Sequence, residues 1–407
     1  MREFGLPSAD GGPVRAAAVL LFAFACFQAA FLSPYMNLVP GERTNLFSPA
    51  LMLLAALFLS ALPEARREWR PNLDFWAWAA LAGLLALSAL HSRLPVPALC
   101  RVVAFWVPAV AGLCCAWTLL RTERALTLFL VFCTALFAGL TGLHLVFGPS
   151  VLGLHSHALA GLLLLLSAGP VFLFLSGGRF RLAWTLPLLG AGYLVCFLAG
   201  SRFVVLLPLV LIPLFAARNR CSRRVTLLAL GLSLVLCLVY FQVYPRERLQ
   251  LYNNESVFYR LEGYPAAWEL IRQNPLLGIG VRTPRAELLQ TFQPLWGIVS
   301  APAYLAVVRR NITFDNQLLS LLVETGVPAT LLYLGLLARL LLRYRRNIRA
   351  GRVPPAVEGA LTFVLSASLI HFLICDGLYF PQTNWFFHVM LGLAAGGLAT
   401  AAQAKES

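Results

Sequence analysis

The sequence predicts an all-α polytopic membrane protein, with about twelve transmembrane helices and one large, partly helical loop on the outer side between spans 9 and 10. Composition is the first observation behind this: of 407 residues, 59% are hydrophobic and 12% charged, with a mean hydropathy of +0.77. Soluble domains carry roughly 25% charged residues. The second observation is that the apolar residues fall in runs close to the roughly 20 residues that a bilayer-spanning helix needs. The third is that basic residues collect in alternate connectors between those runs, as the positive-inside rule describes. A formal charge of +15 might bring nucleic acid to mind. Short basic clusters between apolar runs set membrane orientation instead, so no nucleic-acid partner is expected.

In chain order the runs are 16–38, 47–63, 73–90, 98–120, 125–147, 157–176, 182–200, 203–217, 225–243, 317–342, 356–375 and 384–402. The first follows Arg15 and lacks a small-x-small cleavage site before a polar stretch, so it is expected to stay as a span instead of being removed as a signal peptide. The nine cysteines lie almost entirely within runs, with no C-x-x-C pair and no Cys/His cluster at ligand spacing. They are expected to behave as small apolar side chains, and no disulfide, metal or cofactor is anticipated.

The connectors set the orientation. "EARREWR" (64–70), "RTER" (121–124), "GGRFR" (177–181), "ARNRCSRR" (217–224) and "RYRRNIRAGR" (343–352) fall on one side, with the N-terminal segment and "AKES". The opposite short connectors carry only Arg43, Arg93 and Arg202, which puts both termini in the cytoplasm. The chain therefore divides into spans 1–9 (1–243), an outer loop (244–315), and spans 10–12 with a cytoplasmic tail (316–407). In the loop, "RLEGYPAAWELIRQNP" sets Leu261, Tyr264, Trp268 and Ile271 at helical spacing up to Asn274-Pro275. "AELLQTF" (286–292) is a second short helix candidate. An amphipathic helix here either lies on the interface or over a cavity, or packs on the tops of the spans.

A few polar residues stand out against this background. Between Arg181 and Arg218 there are 36 residues that must cross the bilayer twice. The run 203–217 covers only about 22 Å as helix, against a hydrocarbon core of roughly 30 Å. Arg202 in "AGSRF" is therefore expected at or below the outer interface, where it either faces a polar cavity or snorkels from a helix end. Arg260 opens the loop's helical stripe, a position that suits contact with an external anion or a pairing with Glu255 or Glu262. Asp315 and Asn316 open span 10, where Asp315 can act as an N-cap. Glu324 lies nine residues further on in an apolar run and needs a partner, a raised pKa or a wet cavity. A helix break at "ETGVPA" would put it at a kink. His155 and His157 stand at the outer end of the sixth span, either solvated or touching substrate. His91, His144, His371 and His388 read as lone structural histidines. Asp376, in "ICDGLYFPQTNW", reads as part of an interfacial turn that could rim an outward cavity.

Three stretches occur in a telling order: "AGSRF" at a tight outer hairpin, "YRLEGYPAAWELIRQNPLLGIGVR" in the large loop, and "DNQLLSLLVETG" opening the next span. This order resembles the bacterial O-antigen ligase and polymerase superfamily. There, a Ser-Arg hairpin, a loop Arg followed by a Trp-containing helix and a Pro-Leu-x-Gly-x-Gly turn, and an Asn-x-x-Leu-x-x-Leu-x-Glu-x-Gly span recur in sequence. The motifs cover residues 199 to 326. The resemblance implies a metal-independent glycosyltransferase of the bacterial inner membrane, acting at the periplasmic face. Its donor would be an undecaprenyl-diphosphate-linked oligosaccharide, its acceptor a glycan or lipid-linked glycan, and a chain-length regulator is a candidate partner. It also implies that Arg202 and Arg260 grip the diphosphate, with charge-assisted hydrogen bonds that strengthen as the leaving group gains charge. Ser201, His155, His157, Trp268, Arg282, Asn316 and Glu324 are the candidates for further substrate contacts.

One position departs from the ligases of this superfamily. Where they carry a His before the Asn of the last motif, this chain has Asp315, as polysaccharide polymerases do. A carboxylate there could accept the proton of an acceptor hydroxyl. The expectation is therefore a polysaccharide polymerase. The alternatives are ligation of glycan to lipid A core, transfer to protein, or, in a different class, a twelve-span transporter or flippase. Transporters of that plan usually show repeated halves, and none is visible here.

Overall fold

The computed structural model describes residues 12–32, 46–60, 73–92, 94–120, 122–148, 151–177, 179–200, 227, 230–231, 234–235, 264–265, 267–281, 314 and 316–397. Among them the chain is helical throughout, without a strand. The helices are α1 (Gly12–Phe27, continued by a π-turn Gln28–Leu32), α2 (Phe47–Ser60), α3 (Leu73–His91), α4 (Pro95–Leu119), α5 (Glu123–Phe147), α6 (Ser156–Leu166) and α7 (Ala168–Leu175). They continue with α8 (Arg179–Leu198), α9 (Gln317–Arg349), α10 (Pro355–Phe372), a 3-10 turn Gly377–Tyr379, and α11 (Pro381–Gly396).

Among the described residues, 7 helical stretches are long and apolar enough to cross a membrane: Val14–Leu32, Asp74–His91, Pro95–Leu119, Glu123–Phe147, Ser156–Leu175, Gln317–Arg349 and Pro355–Phe372. Two shorter apolar helices, Phe47–Ser60 and Ala183–Leu198, match the second and seventh runs. The eighth run (203–217) lies outside the described residues, as does most of the ninth (225–243). The last run, 384–402, corresponds to the 16-residue α11. The count of twelve thus remains an expectation from the sequence.

Local sequence accounts for the helix ends. Prolines occupy the first turns of α4, α10 and α11, where a missing N–H costs nothing. Thr122 caps α5 by accepting from the Ala125 N–H at 3.2 Å. The run read as one span over 157–176 is two helices that meet at Ser167, whose hydroxyl donates to the Leu164 carbonyl at 2.6 Å. The last long helix runs past its expected end: the basic stretch from Arg343 to Arg349, read as connector, continues α9. There Arg339 pairs with Asp74 of α3 at 2.5 Å and the Arg343 guanidinium lies 5.6 Å from the Trp117 ring.

The centre of the bundle is α11, in which residues 382–395 are all buried. A helix enclosed on every side needs no polar face. It lies closest to α4, where a Cβ on Gly112 would sit 3.0 Å from the Trp385 carbonyl oxygen and one on Gly392 would sit 2.8 Å from the Ala116 Cβ. Small residues let two apolar helices approach this closely where dispersion must replace the hydrophobic drive. Buried polar ties fix the register: Asn384 Nδ2 donates to the Phe105 carbonyl at 2.6 Å, Trp385 Nε1 donates to Cys26 Sγ at 3.4 Å, and His388 Nε2 meets the Tyr333 hydroxyl at 3.3 Å.

Candidate functional site

Two of the three motifs that carry the resemblance, the loop turn and the opening of α9, meet backbone to backbone. α9 breaks at Gly326, with φ 79 and ψ 170, as the stretch "ETGVPA" suggests. The break frees backbone groups of the preceding turn, and such groups cost several kcal/mol each if left unpaired in an apolar slab. The loop turn "NPLLGIG" supplies their partners. Ile279 N donates to Val323 O at 3.0 Å, Gly280 N to Glu324 O at 2.9 Å, and Val327 N to Pro275 O at 2.8 Å. Ser88 of α3 adds a hydroxyl to the Glu324 carbonyl at 2.8 Å.

Glycine is required at each crossing point. Gly278 has φ 65, and a Cβ there would lie 2.5 Å from the Glu324 carbonyl carbon. A Cβ on Gly326 would collide with the Leu276 carbonyl, and one on Gly280 with Ser92. The Pro-Leu-x-Gly-x-Gly and Glu-x-Gly patterns are thus two halves of one joint, closed by α3. Glu324 itself is buried at this joint, with 5% of its surface exposed.

The N-terminal turn of α9 is tied down separately. Its cap is Asn316, whose side-chain carbonyl accepts from the Leu319 N–H at 3.0 Å. This corrects the sequence reading, which offered Asp315 for that role. The Asn316 amide also donates to the Leu373 carbonyl at 2.9 Å and reaches the Tyr264 hydroxyl of the loop helix at 3.5 Å. Next to it, Gln317 accepts from the Leu378 N–H at 2.8 Å. The loop helix and the start of α9 are therefore joined through the connector that follows α10.

That connector, residues 371–380, is also where the histidines converge. His155 caps α6 and stacks on Phe380, with ring centroids 5.8 Å apart and planes 15° apart. Its ring lies 5.3 Å from that of His157. His157, His371 and Cys375 have ligand atoms all within 4.8 Å of one another. Two expectations fail here: His371 is not a lone histidine, and the folded chain does hold a Cys/His group. The signal available in the sequence was the spacing of His371 and Cys375, four residues apart across a helix end. His144 and His388 do bond to backbone, at Leu140 O (2.8 Å) and Asn384 O (2.9 Å). Asp376 is buried at the start of the 3-10 turn.

The aromatic stripe of the loop helix faces outward. Trp268 is 68% and Tyr264 50% exposed, while Ala267 and Leu270 are fully buried. The inward face of this helix is therefore Ala267 and Leu270. The amphipathic reading survives, with the aromatics available to lipid or substrate. Among the sequence candidates, Ser201, Arg202, Arg260, Arg282 and Asp315 lie outside the described residues. Asn316 and Tyr264 are brought together, His155 and His157 share the connector after α10, and Glu324 lies two turns further along α9.

No curated protein matches the chain. Residues 187–334, which span the loop turn, the joint and the start of α9, match the family model described as O-antigen ligase. That match covers the three ordered motifs, two of which build the joint, and it supports a relationship of residues 187–334 to the O-antigen ligase/polymerase superfamily.

Proposed function

We propose that this protein is a glycosyltransferase of the bacterial inner membrane that polymerises undecaprenyl-diphosphate-linked glycan units at the periplasmic face. The observation that supports this reading is the joint between "NPLLGIG" and "ETG". It fixes the loop helix beside the start of α9, the arrangement a donor-binding loop and an acceptor-activating residue would need. Arg282 is the next residue after the buried Val281 that ends the loop turn, and Asp315 directly precedes the capping Asn316, so along the chain one candidate adjoins the joint and the other the start of α9.

In the proposed reaction the acceptor hydroxyl oxygen attacks the donor's anomeric carbon. The bond from that carbon to the diphosphate oxygen breaks, and the diphosphate leaves with the electron pair. Asp315 takes the hydroxyl proton as general base. Arg202 and Arg260 hold the diphosphate, and their fixed charge stabilises the departing oxygen without a metal or cofactor. His155, Ser201, Trp268, Arg282, Asn316 and Glu324 contribute to the surrounding substrate contacts. Ligation to lipid A core is the second reading, favoured by the description of the matching family.

Arginine's fork binds a diphosphate bidentately and a lysine cannot reproduce it. Arg202→Lys and Arg260→Lys should each abolish glycan transfer at unchanged protein level in the membrane. Unaltered polymer length in both variants would remove the assignment.

A further inference from the structure

His371 ends α10 with 1% of its surface exposed, and neither ring nitrogen has a hydrogen-bond partner among the described residues. Buried polar groups are nearly always paired, and an orphaned one calls for an explanation such as an ion. Its ring lies in a slot shaped by two glycines. A Cβ on Gly161 of α6 would come 3.5 Å from its Cε1, and one on Gly377 would come 3.7 Å from its Nδ1. Among the described residues, His157, at the start of α6, and Cys375, in the turn after α10, bring potential ligand atoms to this ring; the three ligand atoms lie within 4.8 Å of one another.

We propose that His157, His371 and Cys375 form a zinc site that ties the start of α6 to the end of α10. Two imidazoles and one thiolate are a ligand set zinc accepts, with bonds of about 2.0–2.1 Å to nitrogen and about 2.3 Å to sulfur. Ligand atoms of a tetrahedral zinc stand roughly 3.3 to 3.8 Å apart by those bond lengths, so side-chain adjustments of about 1 Å bring the three atoms, all within 4.8 Å of one another, to bonding positions. The buried Asp376 carboxylate, with Oδ1 3.8 Å from Cys375 Sγ, adds an oxygen donor beside the sulfur. A mixed nitrogen, sulfur and oxygen environment suits zinc better than an all-soft copper(I) site. Such a site would clamp the connector that carries Leu373, Leu378 and Phe380, and through it hold Asn316, Gln317 and His155. This role is structural: the zinc takes no part in bond making or breaking, and His157 serves as its ligand and not as a substrate contact.

The test uses the full-length chain purified without a polyhistidine tag, loaded with zinc chloride, desalted and assayed for metal by mass spectrometry. The expected result is about one zinc per chain. A competing chromophoric chelator should report at least about 100-fold weaker binding in Cys375→Ser and in His371→Gln, since loss of a ligand exceeds the 10–100-fold typical of outer-shell changes. Cobalt(II) in place of zinc should give the unfilled-d-shell visible bands of a tetrahedral centre and a thiolate charge-transfer band that Cys375→Ser abolishes. His157→Gln, at a half-buried helix start, serves if the buried variants fail to fold, and the cobalt spectrum of the parent chain needs no variant. A parent chain that retains no zinc, equal affinity in parent and Cys375→Ser, or a cobalt adduct without the sulfur band would each overturn the proposal.

Discussion

Replacing Gly326 by alanine should unlock the joint between the loop and α9. Two costs add. At φ 79 and ψ 170 the backbone lies in a region that only glycine occupies readily, and a side chain there costs about 1–3 kcal/mol. The new Cβ would also collide with the Leu276 carbonyl and lie 2.8 Å from Leu277 N, both rigid backbone. Relief requires the turn to back away, which lengthens the bonds Ile279 to Val323, Gly280 to Glu324 and Val327 to Pro275. Net losses of about 1 kcal/mol per hydrogen bond bring the total to roughly 4 to 6 kcal/mol. Gly335, further along the same helix, has nothing within 4 Å of its would-be Cβ. Gly335→Ala should therefore be neutral or stabilising by up to about 1 kcal/mol. The assay is the fraction of full-length chain that stays monodisperse in detergent after a heating series, read beside glycan product formed in cells. A Gly326→Ala chain as thermostable and as active as the parent would refute the joint's role, whatever Gly335→Ala does.

Three further outcomes follow from the start of α9. Asn316→Ala removes the cap on Leu319 and the tie to the Leu373 carbonyl, so it should lower stability by about 1–2 kcal/mol, visible as a lower apparent melting temperature. Asn316→Asp keeps the cap acceptor but loses the amide donor to Leu373 and should fall between the two. Because Asn316 supplies the cap, Asp315→Asn should leave the melting temperature unchanged while lowering transfer by roughly 10²–10⁴-fold, the usual contribution of a general base. Full activity in Asp315→Asn would move the base elsewhere.

The legible part of this protein was what period and charge encode. Apolar runs marked the seven long apolar helical stretches among the described residues, and "ETGVPA" marked the kink because Gly and Pro are strong local punctuation. Contacts between distant backbones were not legible. Gly278, Gly280 and Gly326 look like ordinary turn glycines until the Glu324 backbone, Ser92 and the Leu276 backbone are seen against them in turn. The capping role slipped by one residue, from Asp315 to Asn316, because both types cap well and only geometry separates them. The His157, His371 and Cys375 group was missed for a related reason: its members come from two segments more than 200 residues apart, and local spacing carries no information about α6 lying beside α10. The orientation of the loop helix also needed the fold. The stripe of Tyr264 and Trp268 was compatible with either an interfacial helix or one packed on the spans, and only the fold shows both exposed while Ala267 and Leu270 are buried.

The most direct test of the proposed activity is to reconstitute the full-length chain in bilayers with a glycan donor linked to undecaprenyl diphosphate and a matching lipid-linked acceptor. The account predicts glycan elongation in step with release of free undecaprenyl diphosphate, one lipid diphosphate per unit added, and loss of both in Arg202→Lys. Donor movement across the bilayer with neither elongation nor diphosphate release would contradict it and identify a transporter instead.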